Sequence, residues 1–275
     1  VLISKVDETV ISKGKKYHLS TNRYTDVIYP DGYRYLQEYQ ADPLPGMLFV
    51  IHSVFLRKTV FMPRGLSLTI IKYELLTAPE SVKLEIRPLA AHRGADGLFP
   101  EKDGSDFESF FTENSVTISG RGHQSHFSFN KGEWYPKPLW FEKLLYEHDD
   151  CEKPGTDSLW SPGFLSIDMN EGETAYVILG SENVHYDHGS VAAMEKETRL
   201  LFQENLVGSP LVRKTPMVKE LLNSASHCLS QMDGKRPAVF SGYPSVRETA
   251  RETFISLPGL LLVTGKTDFA EGVLK

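Results

Sequence analysis

Along the first two-thirds of the chain the apolar positions recur at every second residue, the period of a half-buried strand. Residues 1–11 and 16–20 alternate on either side of Lys13-Gly14, where glycine accepts a positive φ, and so predict a hairpin. A turn at Tyr29-Pro-Asp-Gly-Tyr-Arg-Tyr35 feeds a strand through Gln40. Strands are predicted at 47–54, 55–62, 66–76 and 82–90. Their β-branched and aromatic content, broken by Gly, Pro, Asn and Asp, is that of an antiparallel sandwich. Residues 94–106 read as an exposed loop, 114–119 and 124–130 as a hairpin about Gly120-Arg-Gly122, and 134–146 as extended. Trp160-Ser-Pro-Gly-Phe164 reads as a turn. Strands at 164–169 and 174–179 close the β region across Asn170-Glu-Gly172.

At Ser190 the period changes to three-to-four. Val191, Met194, Thr198, Leu201 and Phe202 fall on one face, with Glu195, Lys196 and Glu197 between them, predicting an amphipathic helix capped by Ser190. Thr215-Pro216 opens a second helix through Met217, Leu221, Leu222, Ala225 and Leu229, ended by Asp233-Gly234. Val239-Phe240 reads as extended. An apolar helix over residues 253–263 follows the turn at Gly242 to Pro244 and stops at Gly265.

Composition narrows the function classes. At 40% hydrophobic and 24% charged residues, with a net charge of −6, the chain has the make-up of a soluble globular protein and no Lys/Arg cluster of the kind a nucleic-acid surface needs. No apolar run approaches the roughly 20 residues of a membrane span. Cys151 and Cys228 are read as free thiols, which fits a reducing, cytoplasmic setting. His123-x-x-His126 and His185-Tyr-Asp-His188 each bring imidazoles together, but neither has a third ligand at a recognisable spacing, and surface or packing roles are expected. No metal or cofactor is called for. Asp149, Asp150 and Glu152 read as a solvated loop. Asn22-Arg-Tyr24 reads as a loop held by side-chain hydrogen bonds, with a reach toward an active-site face as the alternative.

The most informative stretch is the last. Gly242-Tyr-Pro244, Arg251-Glu-Thr-Phe-Ile-Ser-Leu-Pro-Gly259 and Leu262-Val-Thr-Gly265 resemble the opening motif of the glucosidase domain of glycogen debranching enzymes, the amylo-alpha-1,6-glucosidases. That motif is close to G-Y-P-W-F-x-x-W-G-R-D-T-F-I-x-L-P-G. Five earlier stretches resemble the N-terminal β-domain of the same family: Ser4-Lys-Val-Asp-Glu-Thr9, Leu19-Ser-Thr-Asn-Arg-Tyr24, Pro30-Asp-Gly-Tyr-Arg34, Ile86-Arg-Pro-Leu89 and Ser161-Pro-Gly163.

The resemblance implies a mainly β chain with C-terminal helices: an antiparallel β-supersandwich (1–186), a helical linker (187–236) and the start of an (α/α)6 toroid (237–275). It implies inverting hydrolysis of α-1,6-glucosidic branch points in glycogen or related α-glucans. In such a mechanism one carboxylic acid protonates the leaving oxygen and a second, about 6.5–9.5 Å away, activates water. The matching positions give Glu252 as the candidate catalytic residue and Tyr243, Arg251 and Glu252 as substrate-binding candidates. The sequence departs from the motif at Ser245, Thr249 and Ala250, which stand where the family has an aromatic, a tryptophan and a glycine, and Glu252 stands in place of aspartate. The chain beyond Pro210 is also shorter than the roughly 140 residues that twelve helices of about 12 residues require. The barrel is therefore expected to be incomplete and this chain alone inactive. The alternative is a non-catalytic α-glucan-binding or assembly module. It would dock to a separate catalytic barrel, or to a second copy of itself, through the C-terminal apolar helix.

Overall fold

The computed structural model describes residues 1–41, 43–63, 65–94, 97–99, 106–146, 155–204, 215–232, 236–240 and 248–275. The chain is mainly β, with helices towards its C-terminus. It divides into two compact units, Val1–Glu195 and Lys196–Lys275.

β1 (Ile3–Ser12) and β2 (Lys15–His18) form the hairpin that the alternation predicts. Lys13 and Gly14 both take positive φ, 53° and 73°, as the tight turn matching strand twist requires. β3 (Thr21–Arg23) and β4 (Ile28–Asp31) make a second, small hairpin. A 3-10 turn (Gly32–Tyr35) leads from it to β5 (Leu36–Gln40). Then come β6 (Gly46–Ile51), β7 (Val54–Phe61), β8 (Leu68–Thr77), β9 (Val82–Ala90), β10 (Glu108–Thr112) and β11 (Ser115–Gly120). β12 (His123–Phe129), β13 (Glu133–Tyr146), β14 (Gly155–Met169) and β15 (Thr174–Gly180) complete the β unit.

Two antiparallel sheets result. Five strands run in the order β13-β14-β9-β1-β2 and eight in the order β10-β11-β12-β15-β8-β7-β6-β5. β8 and β9 are consecutive yet lie in different sheets, as do β14 and β15, so Pro79 and Asn170-Glu-Gly172 mark crossovers rather than hairpins. The inner faces of both sheets feed one core. Val6 and Val10 of β1, Leu84 and Ile86 of β9, and Leu165 and Ile167 of β14 meet Ile71, Tyr73, Leu75, Phe127 and Val177 of the larger sheet. Each such side chain contributes about 1.5–3 kcal/mol by leaving water.

One polar cluster interrupts that core. Glu8 of β1 is buried on the inner face, where it pairs with Lys58 of β7 at 2.5 Å and accepts the Tyr73 hydroxyl of β8 at 2.8 Å. Burial, then the Glu8 charge, pushes the Tyr73 phenol well above its ordinary value. Because both partners come from the opposite sheet, the cluster fixes the two sheets against each other.

Several boundaries differ from the sequence expectation. The first break in 47–62 falls at His52-Ser53, not between Val54 and Phe55, since His52 takes the positive φ of the turn. Trp160-Ser-Pro-Gly-Phe164 is not a turn but the middle of β14. Its pairing with both β13 and β9 skips register there, and the bulge accommodates a proline that cannot donate to the ladder. The loop expected at 94–106 lies partly outside the described residues, as do Asp149, Asp150, Cys151, Glu152 and Asp233-Gly234.

α1 (His188–Glu204) is capped by Asp187, not Ser190: the Asp187 carboxylate accepts the Ser190 N–H at 2.6 Å, which holds its pKa below the ordinary carboxylate value. Glu195, expected in solvent, is buried and pairs with Lys72 of β8 at 2.6 Å, which fastens the start of α1 to the β unit. α2 (Pro216–His227) has the Thr215 cap, with its hydroxyl accepting the Val218 N–H. It ends before Leu229, because the Cys228 N–H tightens onto Ala225 and Ser226 carbonyls and the chain leaves as β16 (Leu229–Met232), paired with β17 (Arg236–Val239). Cys228 is a free thiol.

The apolar stretch at 253–263 is not one α-helix. α3 (Ala250–Leu257) meets Pro258, which has no N–H to continue the ladder, and the next turn widens so that the Val263 N–H reaches the Pro258 carbonyl at 3.0 Å. It stops at Gly265 as expected, with the Lys266 N–H on the Leu261 carbonyl. α4 (Thr267–Leu274) follows, and Val239, Leu261 and Ala270 form a small core with Leu229, Leu257 and Phe269 against it. No helix among the described residues is long and apolar enough to cross a membrane.

Candidate functional site

Strand pleat sets up the site. On β1 and β9 the residues that alternate with the core positions point to the outer face of the five-stranded sheet. Asp7 stands opposite Arg87 and Thr9 opposite Glu85, with His18 of β2 on the other side of Thr9. These side chains line a cleft of about 260 Å³, with Lys16, Asn22, Tyr24, Tyr29, Pro30, Phe141 and Phe164 around them.

The β3–β4 hairpin supplies one wall. Asn22 is buried; its amide donates to Asp7 Oδ2 at 3.0 Å while its oxygen accepts from Lys5, which also pairs with Asp7 at 2.8 Å. The hairpin can lie this close because residue 32 is glycine. A Cβ there would meet the Leu19 and Ser20 backbone at 2.1–2.6 Å, and the Gly32 N–H donates to the Ser20 carbonyl at 3.0 Å. Ser20 in turn ties the hairpin to the sheet, since its hydroxyl accepts the Glu8 N–H at 3.0 Å. Tyr24 packs on a small apolar cluster of Leu89, Leu144 and Leu159. Burial, with Asp7 and Tyr29 nearby, raises its phenol pKa.

The opposite wall is built on Arg87. Its guanidinium donates to Ser161 Oγ at 3.0 Å and the Lys137 carbonyl at 3.1 Å, and it lies 5.3 Å above the Phe164 ring, which stacks on Tyr135. Burial lowers its pKa, against the opposing pull of Glu85 and Asp7. Gly163 lets β13 approach, because a Cβ would meet the Tyr135 carbonyl at 2.2 Å. Lys16 and Glu85 pair at 3.2 Å, and the Thr9 hydroxyl meets His18 Nδ1 at 2.9 Å. The result is a floor of fixed donors and acceptors between aromatic walls.

All five stretches that carry the β-domain resemblance meet here. Asp7 and Thr9, Asn22 and Tyr24, Pro30 and Gly32, Arg87, and Ser161 with Gly163 each come from a different one. Among these five stretches, the sequence marks only Asn22-Arg-Tyr24 for a reach toward an active-site face. Composition gave no signal for the cleft, which draws on residues from Asp7 to Phe164 in the sequence. The signal present was the set of matching stretches, whose spatial convergence no linear spacing reveals.

The terminal candidates are placed differently. Tyr243 lies outside the described residues. Arg251 and Glu252 are exposed in the first turn of α3, where the Thr249 hydroxyl accepts the Glu252 N–H at 3.4 Å. A carboxylate in that first turn also favours the positive end of the helix dipole.

The histidines divide between packing and surface positions, with His126 buried and His123, His185 and His188 exposed. His126 is buried with Nδ1 3.0 Å from Thr117 Oγ1, and His188 stacks on Tyr176. His92, which the sequence reading missed, is buried between the Gly120 carbonyl at 3.0 Å and Ser125 Oγ at 2.8 Å. Burial depresses the pKa of both His92 and His126. Among the described residues no group of three or more His, Cys, Asp or Glu side chains is placed to hold a metal ion.

None of the curated proteins compared matches the chain. Among solved structures, a bacterial glucoamylase complexed with acarbose is similar at 10% identity and a TM-score of 0.35, the match covering 85% of this chain and 33% of that one. A family GH92 alpha-mannosidase from Bacteroides thetaiotaomicron is similar at 12% identity and a TM-score of 0.32, over 70% of this chain and 28% of that one. The chain thus spans about a third or less of the length of either protein. Residues 1–176, which hold the whole cleft, match the family described as glycogen debranching enzyme N terminal, and the chain belongs to that family.

Proposed function

We propose that this chain acts as a non-catalytic α-glucan-binding and assembly module of a debranching-type glucan hydrolase. The observation that carries the reading is one of placement. The family match ends at residue 176 and is to an N-terminal domain, whereas the candidates Tyr243, Arg251 and Glu252 all follow it. In this reading residues 1–186 form the β-supersandwich, 187–236 the linker and 237–275 the opening of an (α/α)6 toroid that a catalytic barrel completes. Hydrolysis of α-1,6 branch points then belongs to the assembled protein, in a cytoplasmic setting and without metal or cofactor, and Arg251, Glu252 and Tyr243 would face sugar only there. Phe254, Ile255, Leu262 and Val263 stand half-exposed or more, and they support docking of that barrel on the C-terminal helices.

The test incubates the purified chain with an α-1,6-branched dextrin and, separately, with immobilised glycogen. Retention on glycogen without release of glucose is expected. Glucose release abolished by Glu252→Gln would overturn the reading, as would a clean monomer by light scattering with no affinity for glycogen; dimerisation would place a second copy on the apolar side chains.

A further inference from the structure

Resting on that reading, we propose that the outer-face cleft between the β3–β4 hairpin and strands β9, β13 and β14 is where the glucan binds, and that it takes a short, uncharged stretch of one or two glucosyl units. Three observations converge on this ligand class. The first is charge balance: the lining holds two carboxylates, Asp7 and Glu85, and two cations, Lys16 and Arg87, with Lys16 and Glu85 already paired. A phosphate or carboxylate ligand calls for a cationic excess, which the lining does not have.

The second is the alternation of hydrogen-bonding character. Asp7 accepts; the Asn22 amide, Arg87 and Lys16 donate; the Thr9 hydroxyl does either. A ligand whose hydroxyls both donate and accept matches such a set, and one that only donates or only accepts does not. The groups are held in place by one another, through Asn22 on Asp7 and Arg87 on Ser161, so little ordering is left for binding to impose.

The third is the disposition of the rings. Tyr29 stands 60% exposed at the rim beside His18, and Phe164 lies across from it, backed by Tyr135. Flat apolar faces on both sides of a polar floor suit the C–H faces of a pyranose, while its hydroxyls reach the floor. At about 260 Å³ the cleft lies just below the usual range for ligand sites, roughly 300–1,000 Å³, which fits a chain end or a short span rather than a long groove.

The experiment titrates the full chain with maltotriose by calorimetry, in parallel with retention on glycogen. The wild type is expected to bind both. Tyr29→Ala removes an exposed ring and leaves the core intact; it is expected to weaken maltotriose binding about tenfold, as is Thr9→Val. Phe110→Ala, 69% exposed on the edge strand β10 of the other sheet, is expected to bind as wild type does. Unchanged affinity in both Tyr29→Ala and Thr9→Val, with glycogen retention intact, would overturn the cleft assignment while the module reading stands. Loss of glycogen and maltotriose binding by the wild type itself would overturn both. Tighter binding of maltotriose carrying a phosphate would overturn the uncharged ligand class.

Discussion

In the β unit, residues from five separated motif stretches meet on one sheet face and hold one another by hydrogen bonds. In the C-terminal unit, one continuous motif stretch leaves its charged residues, Arg251 and Glu252, exposed at a helix start. The continuous stretch looks more like a site when the sequence is read, because its polar residues are adjacent. The dispersed stretches look like packing. In the structure the dispersed residues have defined partners, and the adjacent ones share a helical turn. Adjacency in sequence is thus a weaker guide to a built site than partners that must come from different strands.

The strongest way to break the β-unit side of this comparison is Asp157→Ala. Asp157 has no exposed surface; it pairs with Arg93 at 2.8 Å and accepts the Phe99 and Ser158 N–H groups at 3.0 Å. Removing it takes the carboxylate from a buried guanidinium, which keeps only neutral partners such as the Gly94 carbonyl, and leaves the Phe99 N–H without this acceptor, and a loss of about 3–5 kcal/mol is expected. Urea unfolding followed by tryptophan fluorescence measures this selectively, since Trp134, Trp140 and Trp160 all lie in the β unit.

Gly32→Ala comes next. The new methyl would enter the Leu19–Ser20 backbone, which cannot rotate away as a side chain could, so overpacking of about 1–3 kcal/mol is expected. The sharper readout is maltotriose affinity. Displacing the hairpin moves Asn22, Tyr24 and Tyr29 together, so binding should fall further in Gly32→Ala than in Tyr29→Ala.

How much of this was legible in the sequence follows from what each signal encodes. The period-two pattern and the Lys13-Gly14 and Gly120-Arg-Gly122 turns give strands and local hairpins, because both depend on neighbouring residues only. Which sheet a strand joins does not, and so the β8–β9 and β14–β15 connections could not be told from hairpins. Glu195 looked solvent-bound because its partner Lys72 is on β8, far away in sequence. Trp160-Ser-Pro-Gly carried real turn chemistry, which a bulge in the long β14 absorbed. The cleft was present only as a list of matching stretches, and its ligand-facing side chains were fixed by register: Asp7 opposite Arg87 follows from the pairing of β1 with β9, which no spacing states.

A smaller effect is expected from pH. The buried His92 and His126 have depressed pKa values, so the folded state takes up protons less readily than the unfolded chain, whose histidines titrate near 6.5. Their contribution is present above that pH and is lost as the pH falls below it toward the folded values. Stability of the β unit should therefore decline below about pH 6.5. His92→Gln, whose side chain can still donate to the Gly120 carbonyl, should flatten that slope, whereas an unchanged slope in His92→Gln and His126→Gln would remove these two as its cause.

The gentlest test falls on the C-terminal unit. Thr249→Ala deletes the hydroxyl that accepts the Glu252 N–H at 3.4 Å, and a capping loss of about 1 kcal/mol is expected in the local stability of α3, read as faster amide exchange at residues 252 and 253. Glu252→Gln keeps that cap and removes only an exposed charge, so stability should stay within about 0.5 kcal/mol of wild type. Maltotriose affinity should not move in either variant, because neither residue lines the cleft. A drop in affinity on Glu252→Gln would mean that the helix start contributes to sugar binding in this chain, and the contrast between a built site and an exposed motif would fail at its clearest point.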